Sequence, residues 1–155
     1  MMGTPSILGL ISDTHGLLRP EAVRALEGCE LIVHAGDVGK PEILDELQAI
    51  APVVAVRGNI DKGEWASRLP LTAVVEAKSA RIYVIHDVHD LDIDPAAAGF
   101  AIVVSGHSHK ASREERSGVL YLNPGSAGPR RFQLPITLAR VDLGRSPWDV
   151  TFIEL

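Results

Sequence analysis

The sequence predicts an α/β fold in one domain, residues 1–155, whose two halves pack as two β-sheets. Apolar β-branched runs alternate with helix-like segments up to residue 58, whereas the chain after residue 70 is rich in strand-like runs. No internal repeat, low-complexity tract or linker separates the halves, and 155 residues is an ordinary length for one domain.

The first half of the chain has the order β-α-β-α-β. Strand-like runs occupy residues 5–12, 30–36 and 52–58, and helix-like segments at 19–29 and 40–50 lie between them. In the second of these segments the apolar residues recur at helical spacing. This order predicts a mostly parallel sheet with right-handed crossovers, because parallel strands need a long connection between them.

The second half consists mainly of strand-like runs. Residues 72–87 contain two β-rich runs around Lys78, Ser79 and Ala80, which predicts a hairpin. Further strands are predicted at residues 100–105, 113–123, 136–143 and 148–155, with a candidate turn at residues 145–147.

The composition excludes several classes of protein. With 46% hydrophobic and 23% charged residues, and no apolar run near the roughly 18 residues that span a bilayer, no membrane role is expected. Segment 1–13 lacks a basic flank and is interpreted as a first strand rather than a signal peptide, so we expect a cytoplasmic location. A net charge of −5 argues against nucleic-acid binding, which depends on rows of Lys and Arg. The single cysteine, Cys29, excludes an internal disulfide and a cysteine zinc cluster.

Polar side chains follow five of the predicted strands at the point where each strand ends. The strand ends are followed by or include the motifs SDTHG, HAGDVG, RGNID, IHDVHD and GHSHK. The carboxyl ends of parallel strands share one edge of a sheet, which is where open α/β folds bind their ligands. Glycines in three of these motifs allow the backbone to turn tightly and approach an ion. The motifs are therefore expected to converge.

Each polar residue alone has an ordinary structural interpretation. A single His34 or His89 is more often a hydrogen-bonded structural residue than a ligand, and the aspartate after the first strand could cap a helix. Residues two apart on an extended chain point the same way, so two motifs present pairs at coordination spacing: Asp13 with His15, and His107 with His109. The repetition at five strand ends favours a metal site over a simple polar edge.

Seven residues offer oxygen or nitrogen donors to a metal: Asp13, His15, Asp37, Asn59, His86, His107 and His109. Carboxylate, amide and imidazole donors without thiolate suit Mn²⁺, Fe, Co²⁺, Ni²⁺ or Zn²⁺. Seven donors exceed one site but form two four-ligand sets if one carboxylate bridges, and two ions about 3.5–4 Å apart are a common clamp for phosphate displacement. Such ions would supply the positive charge that an acidic protein needs to hold a phosphate.

The ordered motifs SDTHG, GDVG, GNID, a strand-terminal histidine and GHSHK resemble those of the calcineurin-like metallophosphoesterase superfamily. The segment NPGS at 123–126, followed by Pro129 and Arg130, is similar to the small single-domain phosphodiesterase branch of that superfamily. The resemblance runs from about residue 6 to residue 131. It implies a four-layer α/β sandwich of two mixed β-sheets flanked by helices.

The resemblance also implies two divalent metal ions that share Asp37. The first ion would be held by Asp13, His15, Asp37 and His109, and the second by Asp37, Asn59, His86 and His107. A metal-bridging hydroxide would hydrolyse a phosphodiester bond, and Asn59 would also position a phosphate oxygen. Mn²⁺ is the ion we expect, with Ni²⁺, Fe, Co²⁺ and Zn²⁺ as alternatives. The expected partner is a small phosphodiester substrate, and a homo-oligomer is left open.

Two positions depart from the superfamily pattern. Ile60 stands where relatives often carry a histidine that donates a proton to the leaving oxygen, and Asp87 replaces the usual glycine after the fourth motif's histidine. Because no general acid is obvious, activated aryl phosphodiesters are expected to react faster than alkyl diesters.

Three alternative functions remain open. A phosphomonoesterase usually benefits from extra Arg or His near its metals, and a nuclease from a basic channel, whereas Arg130 and Arg131 are the only paired basic residues. A non-catalytic interaction scaffold of the same fold, like the vacuolar-sorting subunit of retromer, is less favoured because all seven candidate ligands are present.

Overall fold

The computed structural model describes residues 5–155 of the chain. Its elements, in chain order, are β1 (Ile7–Ile11), α1 (Pro20–Ala25), β2 (Leu31–His34), α2 (Pro41–Gln48), β3 (Val53–Ala55), α3 (Glu64–Ser67), β4 (Thr72–Ala77), β5 (Ala80–Ile85), a one-turn 3-10 helix (Val88–Asp90), β6 (Ile102–Val104), β7 (Ser112–Arg116), β8 (Val119–Asn123), β9 (Thr137–Asp142) and β10 (Asp149–Glu154).

The first sheet has the strand order β10-β9-β1-β2-β3. β1, β2 and β3 are parallel neighbours, which confirms the βαβαβ order predicted for the first half. β9 pairs antiparallel with β1, and β10 pairs antiparallel with β9. The expectation of one sheet per half of the chain is therefore wrong, because β9 pairs along the edge of β1 that would otherwise be free, and β10 extends the sheet from β9.

The second sheet has the strand order β4-β5-β6-β8-β7. Its three central strands are parallel, and β4 and β7 pair antiparallel at the two edges. Both sheets are mixed, as the resemblance implied. The segment 113–123, predicted as one strand-like run, is instead part of the β7–β8 hairpin, which turns at Ser117 and Gly118 with φ of 52° and 79°. Two successive left-handed residues suit a two-residue hairpin turn.

The main core lies between the two sheets. Leu8 and Leu10 of β1 pack in one buried cluster with Ile82 and Val84 of β5, so alternate residues of each strand face the opposite sheet. Each such side chain contributes roughly 1.5–3 kcal/mol when it is fully buried. This packing holds the two sheets in a fixed relation and therefore fixes the loops at their ends.

Helices cover the outer face of the first sheet. Leu26, next to the end of α1, and Ile43 and Leu47 of α2 pack against Ile11 and Ile32 of the strands. Both helices begin at a proline, which suits the first helical position because its missing N–H would have no partner there. The longer of the two has eight residues, and no helix within residues 5–155 is long and apolar enough to cross a membrane.

The outer face of the second sheet is covered by the connection between β5 and β6. Leu91, Ile93 and Phe100 of this connection pack against Tyr83 and Val103. The fourth layer therefore contains a single 3-10 turn where the resemblance implied helices. The predicted sandwich of two mixed sheets is confirmed, with its helices on the first-sheet side.

Candidate metal centre

The seven residues predicted as ligands all lie in loops at the carboxyl ends of strands. Asp13 and His15 follow β1, Asp37 follows β2, and Asn59 follows β3. In the second sheet, His86 follows β5, and His107 and His109 follow β6. Six of these residues lie close together, as predicted, and form two adjacent clusters.

The first cluster consists of Asp13, His15 and His109, whose donor atoms all lie within 4.8 Å of one another. Nε2 of His109 lies 3.4 Å from Oδ1 of Asp13, and Nε2 of His15 lies 3.8 Å from the same oxygen. The imidazole rings of His15 and His109 are 5.3 Å apart. Two imidazoles and one carboxylate thus surround a space of the size that a single ion occupies.

The second cluster consists of Asp37, His86 and His107, again with donor atoms within 4.8 Å of one another. Nε2 of His86 lies 3.3 Å from Oδ2 of Asp37, and the rings of His86 and His107 are 5.2 Å apart. The same Oδ2 of Asp37 is 3.6 Å from Nε2 of His15 in the first cluster. Asp37 is therefore the residue through which the two clusters meet.

Asn59 lies at the rim of the second cluster. It is exposed, and it lines a cavity of about 300 Å³ together with His86 and Asp87. The backbone N–H of its neighbour Ile60 donates a hydrogen bond of 3.1 Å to Oδ1 of Asp37. This contact holds the loop after β3 against the carboxylate that joins the clusters.

Four buried polar atoms of the predicted ligands have no hydrogen-bond partner among the described residues. They are Oδ1 of Asp13, Nε2 of His15, Nε2 of His86 and Nδ1 of His109. An unsatisfied buried polar atom costs roughly 1–3 kcal/mol, so four in one place need an explanation. A divalent cation explains the atoms of Asp13, His15 and His86, because it binds oxygen and imidazole nitrogen lone pairs; in His109 the atom that faces Asp13 is Nε2. The residues present therefore fit divalent metal ions.

The tautomer of His86 suits a metal ligand. Its Nδ1 lies 2.7 Å from the carbonyl oxygen of Ala35, which can only accept, so Nδ1 carries the proton and donates it. Nε2 is then left with its lone pair directed at Asp37 and the cluster. Anchoring one imidazole nitrogen on a backbone carbonyl is a common way to orient a metal-binding histidine.

The ionisation of Asp37 and His86 is coupled. Burial by itself raises the pKa of Asp37, but the contact with His86, the hydrogen bond from the Ile60 N–H and the neighbouring imidazoles outweigh it and lower the pKa to about 2. Burial lowers the pKa of His86, and the Asp37 contact and charge more than compensate, so this pKa is raised. Burial also lowers the pKa of His109, with the Asp13 charge opposing it. The centre concentrates negative charge that a cation would balance.

Five of the predicted ligands have a left-handed backbone: Asp13, His15, Asp37, His107 and His109, with φ between 48° and 70°. The extended backbone expected for these pairs is therefore wrong, because the residues lie in turns beyond the strands. Asp13 and His15 share a cluster, whereas His107 and His109 lie in different ones. Left-handed non-glycine residues cost energy and concentrate at functional sites.

Asp61 is a supporting residue that the sequence reasoning missed. Its buried carboxylate accepts hydrogen bonds from the backbone N–H groups of Val38 at 3.2 Å, Gly39 at 2.9 Å and Gly58 at 2.9 Å. It thus ties the loop after β2 to the loop after β3. A Cβ at Gly58 would overlap the backbone and carboxylate of Asp37, which explains the glycine in RGNID. The sequence shows an aspartate at this position but not its two distant partners, Val38 and Gly39.

Other contacts hold the first and last motifs. Oδ2 of Asp13 accepts hydrogen bonds from the Ser12 hydroxyl at 2.6 Å and from the His107 backbone N–H at 3.0 Å. Asn123, the first residue of NPGS, donates to the Gly106 carbonyl at 2.9 Å. His34 belongs to neither cluster. It is fully buried and hydrogen-bonded to Thr14 at 3.0 Å, so it is a structural residue.

Known proteins share both the sequence pattern and the fold. Residues 7–146 match the family model of the calcineurin-like phosphoesterase superfamily domain. A probable metallophosphoesterase of Methanothermobacter thermautotrophicus is 36% identical over 149 residues, which cover 88% of this chain and 86% of that protein. Phosphodiesterase YfcE of Escherichia coli strain K12 is 29% identical over 156 residues, with 84% of each chain covered.

A solved structure of lower identity has the same fold. Vps29 of Chaetomium thermophilum is 19% identical, aligns over 96% of each chain and gives a TM-score of 0.77. At that identity the likeness concerns the fold alone. The family match and the more similar relatives are decisive: the chain belongs to the calcineurin-like phosphoesterase superfamily and is a hydrolase of phosphate esters.

Proposed function

We propose that the protein is a phosphodiesterase that depends on two divalent metal ions. The observation that carries the proposal is the pair of clusters joined at Asp37, whose Oδ2 lies 3.3 Å from Nε2 of His86 in one cluster and 3.6 Å from Nε2 of His15 in the other. Relatives named as phosphodiesterases support the choice of a diester substrate. We further propose that residues 1–155 form one metallophosphoesterase domain.

Each ion takes four ligands in this proposal. The first set is Asp13, His15, Asp37 and His109, and the second is Asp37, Asn59, His86 and His107. The assignment is supported by the two clusters, which contain six of these residues, and by the unpaired buried atoms of Asp13, His15 and His86. Mn²⁺ is the proposed ion, and Ni²⁺, Fe, Co²⁺ and Zn²⁺ suit the same donors.

Two ions held by these residues would supply Lewis-acid chemistry, which activates water and offsets the charge of the phosphate. The residues of the chain would hold the ions and the phosphate in fixed positions. Asp37 stays ionised because its pKa is about 2, so it remains a ligand across the physiological range. Asn59, at the mouth of the cavity that it shares with His86, offers an amide to orient a phosphate oxygen.

Discrimination between diester and monoester depends on positive charge near the clusters. A monoester carries nearly one more negative charge, which additional arginine side chains would stabilise. Arg130 and Arg131 are exposed, and Arg130 donates a hydrogen bond of 3.2 Å to the carbonyl of Leu134. The Arg131 charge helps to lower the pKa of His109, after burial and against the opposing Asp13 charge, so one guanidinium acts on the first cluster. Arg57 also lines the cavity beside Asn59 and His86, but the three aspartates of that cavity offset its charge, which favours a diester.

The test is a substrate screen with controlled metal. Protein stripped with a chelator would be assayed on bis(4-nitrophenyl) phosphate, 4-nitrophenyl phosphate and single-stranded DNA, before and after Mn²⁺, Ni²⁺ or Zn²⁺ is restored. We expect diester hydrolysis that disappears with the chelator and returns with metal. Full activity without metal, or faster hydrolysis of the monoester or the DNA, would contradict the proposal. Absence of any hydrolysis with two ions bound would favour the scaffold alternative.

A further inference from the structure

The loop after β5 carries a carboxylate–histidine pair outside both metal-ligand clusters. Oδ1 of Asp87 accepts hydrogen bonds from the backbone N–H of His89 at 3.0 Å and from its ring Nδ1 at 2.9 Å. A carboxylate only accepts, so Nδ1 carries the donated proton and Nε2 is left free.

The same carboxylate faces the second cluster. Oδ2 of Asp87 lies 3.6 Å from Nε2 of His107, so Asp87 lies between a proposed ligand and the imidazole of His89. His89 and His107 line one cavity of about 240 Å³, which can accommodate a small ester group. An ester whose phosphate lies at the second cluster can therefore extend towards His89.

Few charged groups other than Asp87 line this cavity and could interact with His89. The titratable groups that line it are Asp87, His89, His107, Glu114, Arg116 and Tyr121. Arg116 donates two hydrogen bonds to Glu114, at 2.9 and 2.8 Å, so those two charges are paired with each other. Asp90 follows His89 on the same loop and lines the other cavity, on the Asn59 side.

Ile60, which follows Asn59 at the rim of the second cluster, has a hydrocarbon side chain that cannot donate a proton. The cavity on the Asn59 side offers, among its lining residues, one guanidinium, three aspartates and the imidazole of the proposed ligand His86. His89 is thus the imidazole beside the second cluster that the proposed metal site does not use.

We propose that His89 is the general acid of the reaction and that Asp87 positions it, an inference that rests on the proposed phosphodiesterase function. A water-derived oxygen forms a bond to phosphorus while the bond to the leaving oxygen breaks. The leaving oxygen takes the proton from Nε2 of the protonated ring, which becomes neutral. The products are a phosphomonoester and a neutral alcohol. The His89 side chain is 87% exposed, so solvent can return the proton.

The kinetic test compares leaving groups of different basicity. Diesters that share a methyl group, with 4-nitrophenyl, phenyl or methyl as the leaving group, would be assayed on the wild type and His89→Gln at matched metal occupancy. A general acid is typically worth about 10²–10⁴-fold, and its benefit grows as the leaving group becomes more basic. We expect His89→Gln to lose most on the methyl leaving group and least on 4-nitrophenyl, which steepens the dependence on leaving-group pKa.

Two variants separate the positioning of His89 by Asp87 from the effect of removing any negative charge near it. Asp87→Ala should steepen the same dependence, whereas Asp90→Ala, which removes an equal charge one residue beyond His89, should not. Parallel dependences for the wild type and His89→Gln would overturn the inference while leaving the phosphodiesterase proposal intact. A wild type inactive on every diester with metal bound would refute both.

A second readout does not depend on activity. The ring ¹⁵N chemical shifts of His89 in metal-free protein report which nitrogen carries the proton. We expect the neutral ring to be protonated at Nδ1 in the wild type and in Asp90→Ala, and to shift towards protonation at Nε2 in Asp87→Ala. Protonation at Nε2 in the wild type would contradict the positioning role of Asp87. Metal content equal in His89→Gln and the wild type would show that His89 is not a ligand.

Discussion

Replacement of Asp61 by asparagine should damage the metal centre from outside it. The carboxylate is buried and accepts three backbone hydrogen bonds, two at Oδ2 from Val38 and Gly58 and one at Oδ1 from Gly39. In Asp61→Asn one of these oxygens becomes an NH₂ group, which is a donor that faces another donor. Whichever way the amide is oriented, at least one of the three N–H groups loses its acceptor, and the least costly orientation leaves only the exposed Gly39 without one.

The expected cost follows from the number of contacts. A hydrogen bond to a charged acceptor contributes about 1.5–3 kcal/mol, and an unsatisfied buried N–H costs about 1–3 kcal/mol. Because water can bond to the exposed Gly39 N–H, only part of these contributions is lost, and we expect Asp61→Asn to lower the free energy of unfolding by about 1–3 kcal/mol. The loops that carry Asp37 and Asn59 would also separate, so metal affinity should fall as well.

Urea unfolding of metal-free protein measures the first effect, and a metal titration measures the second. Asp45→Asn is the matched control, because Asp45 is exposed on α2 and its side chain has no hydrogen bond among the described contacts. That variant should stay within about 0.5 kcal/mol of the wild type, as surface substitutions usually do. If Asp61→Asn is as stable as the control and binds metal normally, the three hydrogen bonds do not support the site as described.

Two further predictions concern buried groups. Asp37→Asn should lower phosphodiesterase activity by orders of magnitude with little change in unfolding, since Asp37 contacts both clusters; near wild-type rates with two ions bound would contradict its bridging role. Burial lowers the pKa of His34 to about 4, so between about pH 6.5 and 4 the unfolded chain binds more protons than the folded protein. Stability should therefore fall as the pH drops through this window, by on the order of 3 kcal/mol. His34→Gln should flatten that slope in urea unfolding measured at several pH values, and equal slopes would contradict the assignment.

The sequence was sufficient for the features that depend on local pattern. The alternation of apolar runs and helical segments predicted the parallel β1–β2–β3 unit, and the polar strand ends predicted which loops converge. The β7–β8 hairpin was missed because strand-like residues continue on both sides of Ser117 and Gly118. α3, with four residues, is too short to show a helical period.

The remaining features depend on contacts between distant parts of the chain. The antiparallel pairing of β9 with β1 joins residues more than 120 positions apart, which no local pattern encodes. The left-handed backbone at Asp13 and His107 is another example, because their loops contact each other through the Asp13 carboxylate and the His107 N–H. Likewise, the sequence shows Asp61 next to GNI but not that it accepts hydrogen bonds from the loop after β2.

The most direct test of the proposed site is anomalous diffraction from crystals of the protein soaked in Mn²⁺. Two ions that share one carboxylate should give two anomalous peaks about 3.5–4 Å apart, the spacing of two-metal sites. The peaks should lie on either side of the Asp37 carboxylate, one near His15 and His109 and the other near His86 and His107. A single peak, no peak at saturating Mn²⁺, or two peaks that do not share Asp37 would contradict the account.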